Sequence, residues 1–150
     1  LNTFEVMAGL EAQSGELAAE RITDAELVEI QAMHYEMLAA YTRRDLPAYY
    51  RLNSAIHAAI NAAAKNPVLS ATYRQVNARL QALRFRSNQD GDKWDAAMKE
   101  HEQMIDALTQ RNPAAMRAVL LCHLNNKRDV VMAQLVQAQR SREADEGEQA

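Results

Sequence analysis

All three prolines of this chain, Pro47, Pro67 and Pro113, stand where a helix can begin. Asp45 caps a helix whose first turn holds Pro47, and Asn112-Pro113 is an N-cap followed by proline at the first helical position. Asn66-Pro67 interrupts one helical pattern and restarts another. Proline in a first turn costs nothing, because the N–H it lacks has no intrahelical partner there. Glycine is equally scarce, with four in 150 residues, while Ala, Leu, Met, Gln and Glu abound. Such a chain forms helices readily and has few places for tight hairpins.

Apolar spacing divides the chain into six runs. The first, Thr3 to Arg21, carries Phe4, Met7, Leu10, Leu17 and Ala18, with Gly9 and Gly15 as local weak points. Thr23 with Glu26 three residues on is a capping-box pattern, and the helix it opens has Leu27, Ile30, Met37, Leu38 and Tyr41 on one face. Arg43-Arg44 close that helix, where positive charge suits the C-terminal end of the dipole. The third run extends from Leu46 to about Lys65, with Tyr49, Tyr50, Ile56 and Ile60 facing inward. Val68, Leu69, Tyr73, Val76, Leu80 and Leu83 mark a fourth helix, ending near Arg86, and Ser87–Asp92 reads as the clearest loop. Trp94, Met98, His101, Met104, Ile105 and Leu108 mark the fifth; Met116, Val119, Leu120, His123, Val131 and Leu135 mark the sixth. The expected fold is all-α, an antiparallel bundle of about six helices in one domain over residues 1–140, with a polar, frayed tail over 141–150.

Charge and hydropathy exclude several classes. The net charge is −3 and the basic residues are scattered, so the chain by itself is not expected to hold nucleic acid. No apolar run approaches the ~18 residues needed to span a bilayer, and Leu1-Asn2-Thr3-Phe4 does not begin a signal peptide. The single cysteine, Cys122, cannot form an internal disulfide, which fits the cytoplasm; it reads as a small buried residue. The chain does not begin with Met, so a missing N-terminal segment is expected.

Asn53 and His57 stand four residues apart and share one inward helical face; His101 and His123 occupy the apolar faces of two later helices. Two explanations compete. Each histidine can be a core residue satisfied by a hydrogen bond, and His34 reads as a boundary or core histidine. Alternatively the amide and the three imidazoles share a divalent transition ion, which would satisfy all of them at once. Spacing alone leaves both open. A di-iron carboxylate site needs Glu-x-x-His pairs, and none of His57, His101 or His123 has Glu three residues before it. A zinc hydrolase is a weaker reading, since there is no His-Glu-x-x-His and no evident carboxylate base. A metal-dependent enzyme on a helical bundle stays as the alternative to a binding domain.

The ordered motifs add a resemblance. Phe4-Glu5-Val6 with Leu10-Glu11, then Leu17-Ala18-Ala19-Glu20-Arg21, is similar to the first helix of the FCD domain, the C-terminal effector-binding domain of FadR-type GntR transcription regulators. Asn53-x-x-Ile56-His57, Asn66-Pro67-Val68-Leu69, Glu100-His101 with Ile105-Asp106-Ala107, and Ala115-Met116 with His123-Leu124 follow in the family's order. The resemblance covers Phe4 to Arg128 and implies a metal site on Asn53, His57, His101 and His123; the donor types suit zinc, nickel, manganese or cobalt, with zinc or nickel first and manganese after them. It also implies a small carboxylate effector, a homodimer, and contact with DNA only through an N-terminal winged-helix domain not present in this chain. Two departures are visible. Asn53 stands where a carboxylate is common, and Met7 stands near the place of an arginine that pairs with the effector. Arg79, Arg84 or Arg86 are candidates to replace it, Arg84 first, with Tyr50 and Asn77 as further candidates for the pocket wall.

Overall fold

The computed structural model describes the backbone of residues 2–87 and 91–148 and the side chains of residues 2–81 and 94–141. Its elements are α1 (Asn2–Arg21), α2 (Asp24–Thr42), α3 (Leu46–Ala63), α4 (Pro67–Ser87), α5 (Gly91–Thr109) and α6 (Pro113–Glu148). Among the described residues there is no strand, so the six-helix, all-α expectation holds. The centre of the expected loop, residues 88–90, lies outside the described residues; α4 takes in Ser87 and α5 already begins at Gly91. Helix α6 continues past Ser141 to Glu148, with the good helix formers Arg142, Glu143, Ala144 and Glu146 outnumbering Asp145 and Gly147.

The helix ends follow from the capping chemistry. Thr23 and Glu26 form the reciprocal capping box, and Asp45 accepts from the Ala48 N–H ahead of Pro47. Three helices stop at a basic residue in the left-handed region: Arg44 (φ 57°), Lys65 (φ 52°) and Arg111 (φ 49°). At two of these the next N–H reaches back across the turn, Asp45 to the Ala40 carbonyl and Asn112 to the Ala107 carbonyl, each at 2.9 Å. A left-handed non-glycine residue costs about 1–2 kcal/mol, and the long side chains recover part of it. Arg111 donates to the Ile22 carbonyl at 2.6 Å and pairs with Asp24 at 2.7 Å, tying the α5–α6 turn to the α1–α2 turn. The Arg44 guanidinium lies over the rings of Tyr41 and Trp94.

Helix α1 is the central element, packed against α3, α4, α5 and α6. Its inner face is built from small residues (Ala8, Ala12, Gly15, Ala18, Ala19), which lets the backbone approach its neighbours closely. Gly15 is therefore a contact point and not simply a weak one. A Cβ there would lie 2.3 Å from Leu120 Cδ1 and 3.2 Å from Met116 Cε, so α6 crosses α1 over the missing side chain.

The apolar interior forms two clusters. The larger includes Ile30, Met37, Tyr49, Ile56, Met104 and Leu120. The smaller gathers Phe4, Met7, Tyr73, Leu80, Leu124 and Val131. Along α6, His123 stands between Leu120 of the first and Leu124 of the second, so a polar group marks the seam. Cys122 is exposed, against the expectation of burial. Successive helical side chains point about 100° apart, and with His123 turned inward its neighbour faces solvent. His34 is buried, as expected of a core residue.

Candidate metal centre

Three helices bring the histidines together. His57 comes from α3, His101 from α5 and His123 from α6, and none is more than 3% exposed. The imidazole centroids form a nearly equilateral triangle: 5.2 Å between His57 and His101, 5.2 Å between His57 and His123, and 5.1 Å between His101 and His123. One ring nitrogen from each lies within 4.8 Å of the others, close enough for the three to share a single ion. Asn53 is buried one helical turn before His57 on the same face of α3.

Carboxylates flank this triangle. Glu11 Oε2, from α1, lies 2.6 Å from His57 Nδ1, and both side chains are almost fully buried. Glu100 Oε2 lies 2.6 Å from His123 Nδ1, and its other oxygen accepts from the Asn126 amide. Burial pushes the Glu100 carboxyl above its ordinary range, while the Asn126 hydrogen bond and the Lys127 charge pull it back. Lys127 is itself buried, one turn after His123 on α6.

Among the described residues, several buried polar atoms have no hydrogen-bond partner: both ring nitrogens of His101, His34 Nδ1, Asn53 Oδ1 and the Tyr49 hydroxyl. Burial holds His101 well below the ordinary imidazole range, and the neighbouring His123, His57, Lys127 and His34 add to the effect. His101 therefore stays neutral, the form that donates a lone pair to a metal. An unpaired buried polar group costs about 1–3 kcal/mol. The donor set fits a divalent ion that prefers imidazole nitrogen and amide oxygen.

Of the residues singled out from sequence, the fold brings His57, His101 and His123 into one cluster and buries Asn53 beside His57. Tyr50 and Asn77 are half-buried, Arg79 is exposed, and the side chains of Arg84 and Arg86 lie outside the described residues. Met7 is fully buried in the smaller apolar cluster, so the spot where an arginine was sought is a packed hydrocarbon contact. Sequence reasoning gave no role in the site to Glu11 or Glu100. The signal for Glu11 was present: positions 4, 7, 8, 11, 12 and 15 trace one helical face, and Glu11 is the only charged residue among them.

The FCD domain family model matches residues 2–126 of the chain. Among solved structures, E. coli McbR/YncC superposes with a TM-score of 0.80 at 17% identity, over 89% of this chain and 64% of that one. Streptococcus agalactiae GntR gives a TM-score of 0.71 at 23% identity, over 85% of this chain and 57% of that one. This chain thus spans less than two thirds of the length of either protein, and at these identities the likeness is one of fold. No curated protein matches it in sequence.

Proposed function

The chain belongs to the FCD domain family, and from that premise we propose that it senses a small organic acid through a bound divalent metal ion and thereby controls DNA binding by a GntR-type regulator. Family membership makes it an effector-binding regulatory domain and not an enzyme. Asn53, His57, His101 and His123 would hold the ion, with zinc or nickel, and then manganese, as the matching metals. The observation that carries this reading is His101, which has two ring nitrogens, no exposed surface, no partner, and two further histidines about 5 Å away. When bound, the ion supplies positive charge and open coordination positions for an anionic oxygen.

The four proposed ligands are neutral, so the ion's charge is not cancelled by the groups that touch it. That favours a carboxylate effector. Tyr50 and Asn77, both half-buried, and Arg84 are the residues we assign to the wall of its pocket. The donors come from α3, α5 and α6, and a ligand on the ion would bias how those helices sit. Its differential affinity for two bundle geometries would then shift the orientation of an attached winged-helix domain. A homodimer in the cytoplasm is part of the same proposal. Val28, Tyr35 and Leu38 support it, forming an exposed apolar stripe on α2 at spacings of seven and three. No helix among the described residues is long and apolar enough to cross a membrane.

The test is elemental analysis of protein purified without chelator, followed by thermal shift with zinc, nickel and manganese, alone and with a panel of small carboxylates. An ion at one equivalent per chain, and an acid that raises the melting temperature only in its presence, are the expected results. A protein that stays metal-free after zinc and nickel addition overturns the reading.

A further inference from the structure

We infer that Glu11 and Glu100 are positioning residues of the metal centre, fixing His57 and His123 with Nδ1 protonated and Nε2 left to face the ion. The inference rests on the metal reading of the three histidines, although its first prediction does not require the ion.

A carboxylate oxygen stands equally close to a ring Nδ1 at two places that share no helix: at His123 the contact is a hydrogen bond, and at His57 it is a charge-pair contact. Glu11 reaches His57 across the α1–α3 packing, and Glu100 reaches His123 across the α5–α6 packing, each oxygen 2.6 Å from a ring Nδ1. A carboxylate is an acceptor, so its proximity favours the proton on the ring nitrogen it approaches, Nδ1 in both histidines. A neutral imidazole has only one N–H, which leaves Nε2 with its lone pair. Both histidines are therefore prepared as Nε2 ligands before any ion arrives. Among the described residues His101 has no such carboxylate, and neither of its nitrogens has a partner there. It is the one imidazole of the three whose tautomer the protein leaves open, and its orientation would be settled by the ion.

The two carboxylates also answer the question raised by Asn53. A neutral amide at that position removes a negative charge from the groups touching the ion. Glu11 and Glu100 supply negative charge one imidazole farther out, where it raises ligand basicity without occupying a coordination position. Glu11 is the more deeply buried of the two carboxylates, at 3% side-chain exposure against 12% for Glu100. Glu100 is further engaged with Asn126 and feels the Lys127 charge. Glu11 should therefore be the more consequential partner.

Two measurements decide this. The first is the 15N spectrum of the imidazoles in chelator-treated wild-type protein, above the ordinary imidazole pKa of about 6.5. His57 and His123 should appear as Nδ1–H tautomers; an Nε2–H tautomer at either one overturns the inference. The second is zinc affinity, by competition with a chromophoric chelator, for wild type, Glu11→Gln and Glu100→Gln. Glutamine keeps the shape and an acceptor oxygen while removing the charge. Affinity should fall about 10–100-fold for Glu11→Gln and less for Glu100→Gln, while the ion-free melting temperature moves little. Unchanged affinity in both variants overturns the inference. If wild type binds no zinc, the metal reading falls, and the tautomers alone still decide whether the carboxylates hold the two rings.

Discussion

Replacing His101 by leucine should make the ion-free protein more stable, which is the opposite of what a buried substitution usually does. His101 has no exposed surface, and both of its ring nitrogens lack partners. Each such atom costs about 1–3 kcal/mol in lost hydration. Leucine is close in volume and has no polar atoms, and an imperfect fit of its branched shape costs up to about 1.5 kcal/mol. For two such atoms against one imperfect fit the balance is a gain of roughly 0.5–6 kcal/mol. At about 2–4 °C per kcal/mol for a chain of this size, that is a rise of roughly 1–24 °C. With zinc present the difference should move toward wild type. Wild type gains about 2.7 kcal/mol when the free ion is at a hundred times its dissociation constant, while His101→Leu loses a ligand and gains little. The assay is urea unfolding followed by far-ultraviolet circular dichroism, in chelator and in excess zinc. A variant less stable than wild type in chelator by more than about 1 kcal/mol, with its zinc response intact, would refute the reasoning. His101 would then be a satisfied core residue that the ion does not need.

Three further outcomes follow from the packing and the charges. Gly15→Val places methyl groups where even a Cβ would lie 2.3 Å from Leu120; it should cost about 1–3 kcal/mol by overpacking in chemical denaturation. Gly15→Ala should come out milder, because better helix propensity returns up to about 1 kcal/mol. Thr23→Ala removes one half of the capping box and should cost about 1 kcal/mol, read as a lower urea midpoint at unchanged slope. In chelator, stability should hold above about pH 6.5 and decline below it. Burial keeps His101 from protonating in the folded state, whereas the unfolded chain takes up the proton, a dependence of at most about 1.4 kcal/mol per pH unit. His34 is lowered by burial as well and acts in the same direction. The raised carboxyl of Glu100 opposes both, because it favours the folded state as it protonates. His101→Leu should flatten the decline, and a slope unchanged in that variant counts against buried His101 as its source.

Much of the fold is legible from local signals because its punctuation is local. Thr23, Asp45 and Asn112 act through atoms three residues away, and the helices begin where those caps and the prolines place them. The departures arise where tertiary contact overrides propensity. Gly15 lowers helix propensity, yet α1 runs unbroken through it, because the approach of α6 depends on the missing side chain. Cys122 looks apolar in composition but faces solvent, since the register of α6 is set by His123 and its buried neighbours Leu120 and Leu124.

The candidate centre is half legible for a similar reason. An imidazole on an apolar stripe stands out, and Asn53 and His57 are one turn apart on a single helix. That His101 and His123 meet them depends on three helices converging, which spacing within one helix cannot show. Glu11 is harder still: a lone glutamate near an N-terminus resembles a favourable charge at the dipole's positive end. What distinguishes it is the face it shares with Met7, Ala8, Ala12 and Gly15. A carboxylate there is shielded from water, and it stands 2.6 Å from His57 Nδ1. The same face explains why Met7 cannot be replaced by a neighbouring charge. One turn from Glu11 it is packed among Phe4, Leu80 and Leu124, and an arginine there would bury a second charge in hydrocarbon. The first helix thus gives its one inward charge to orienting a histidine. Positive charge for an effector would have to come from the ion, from Lys127 beside His123, or from α4.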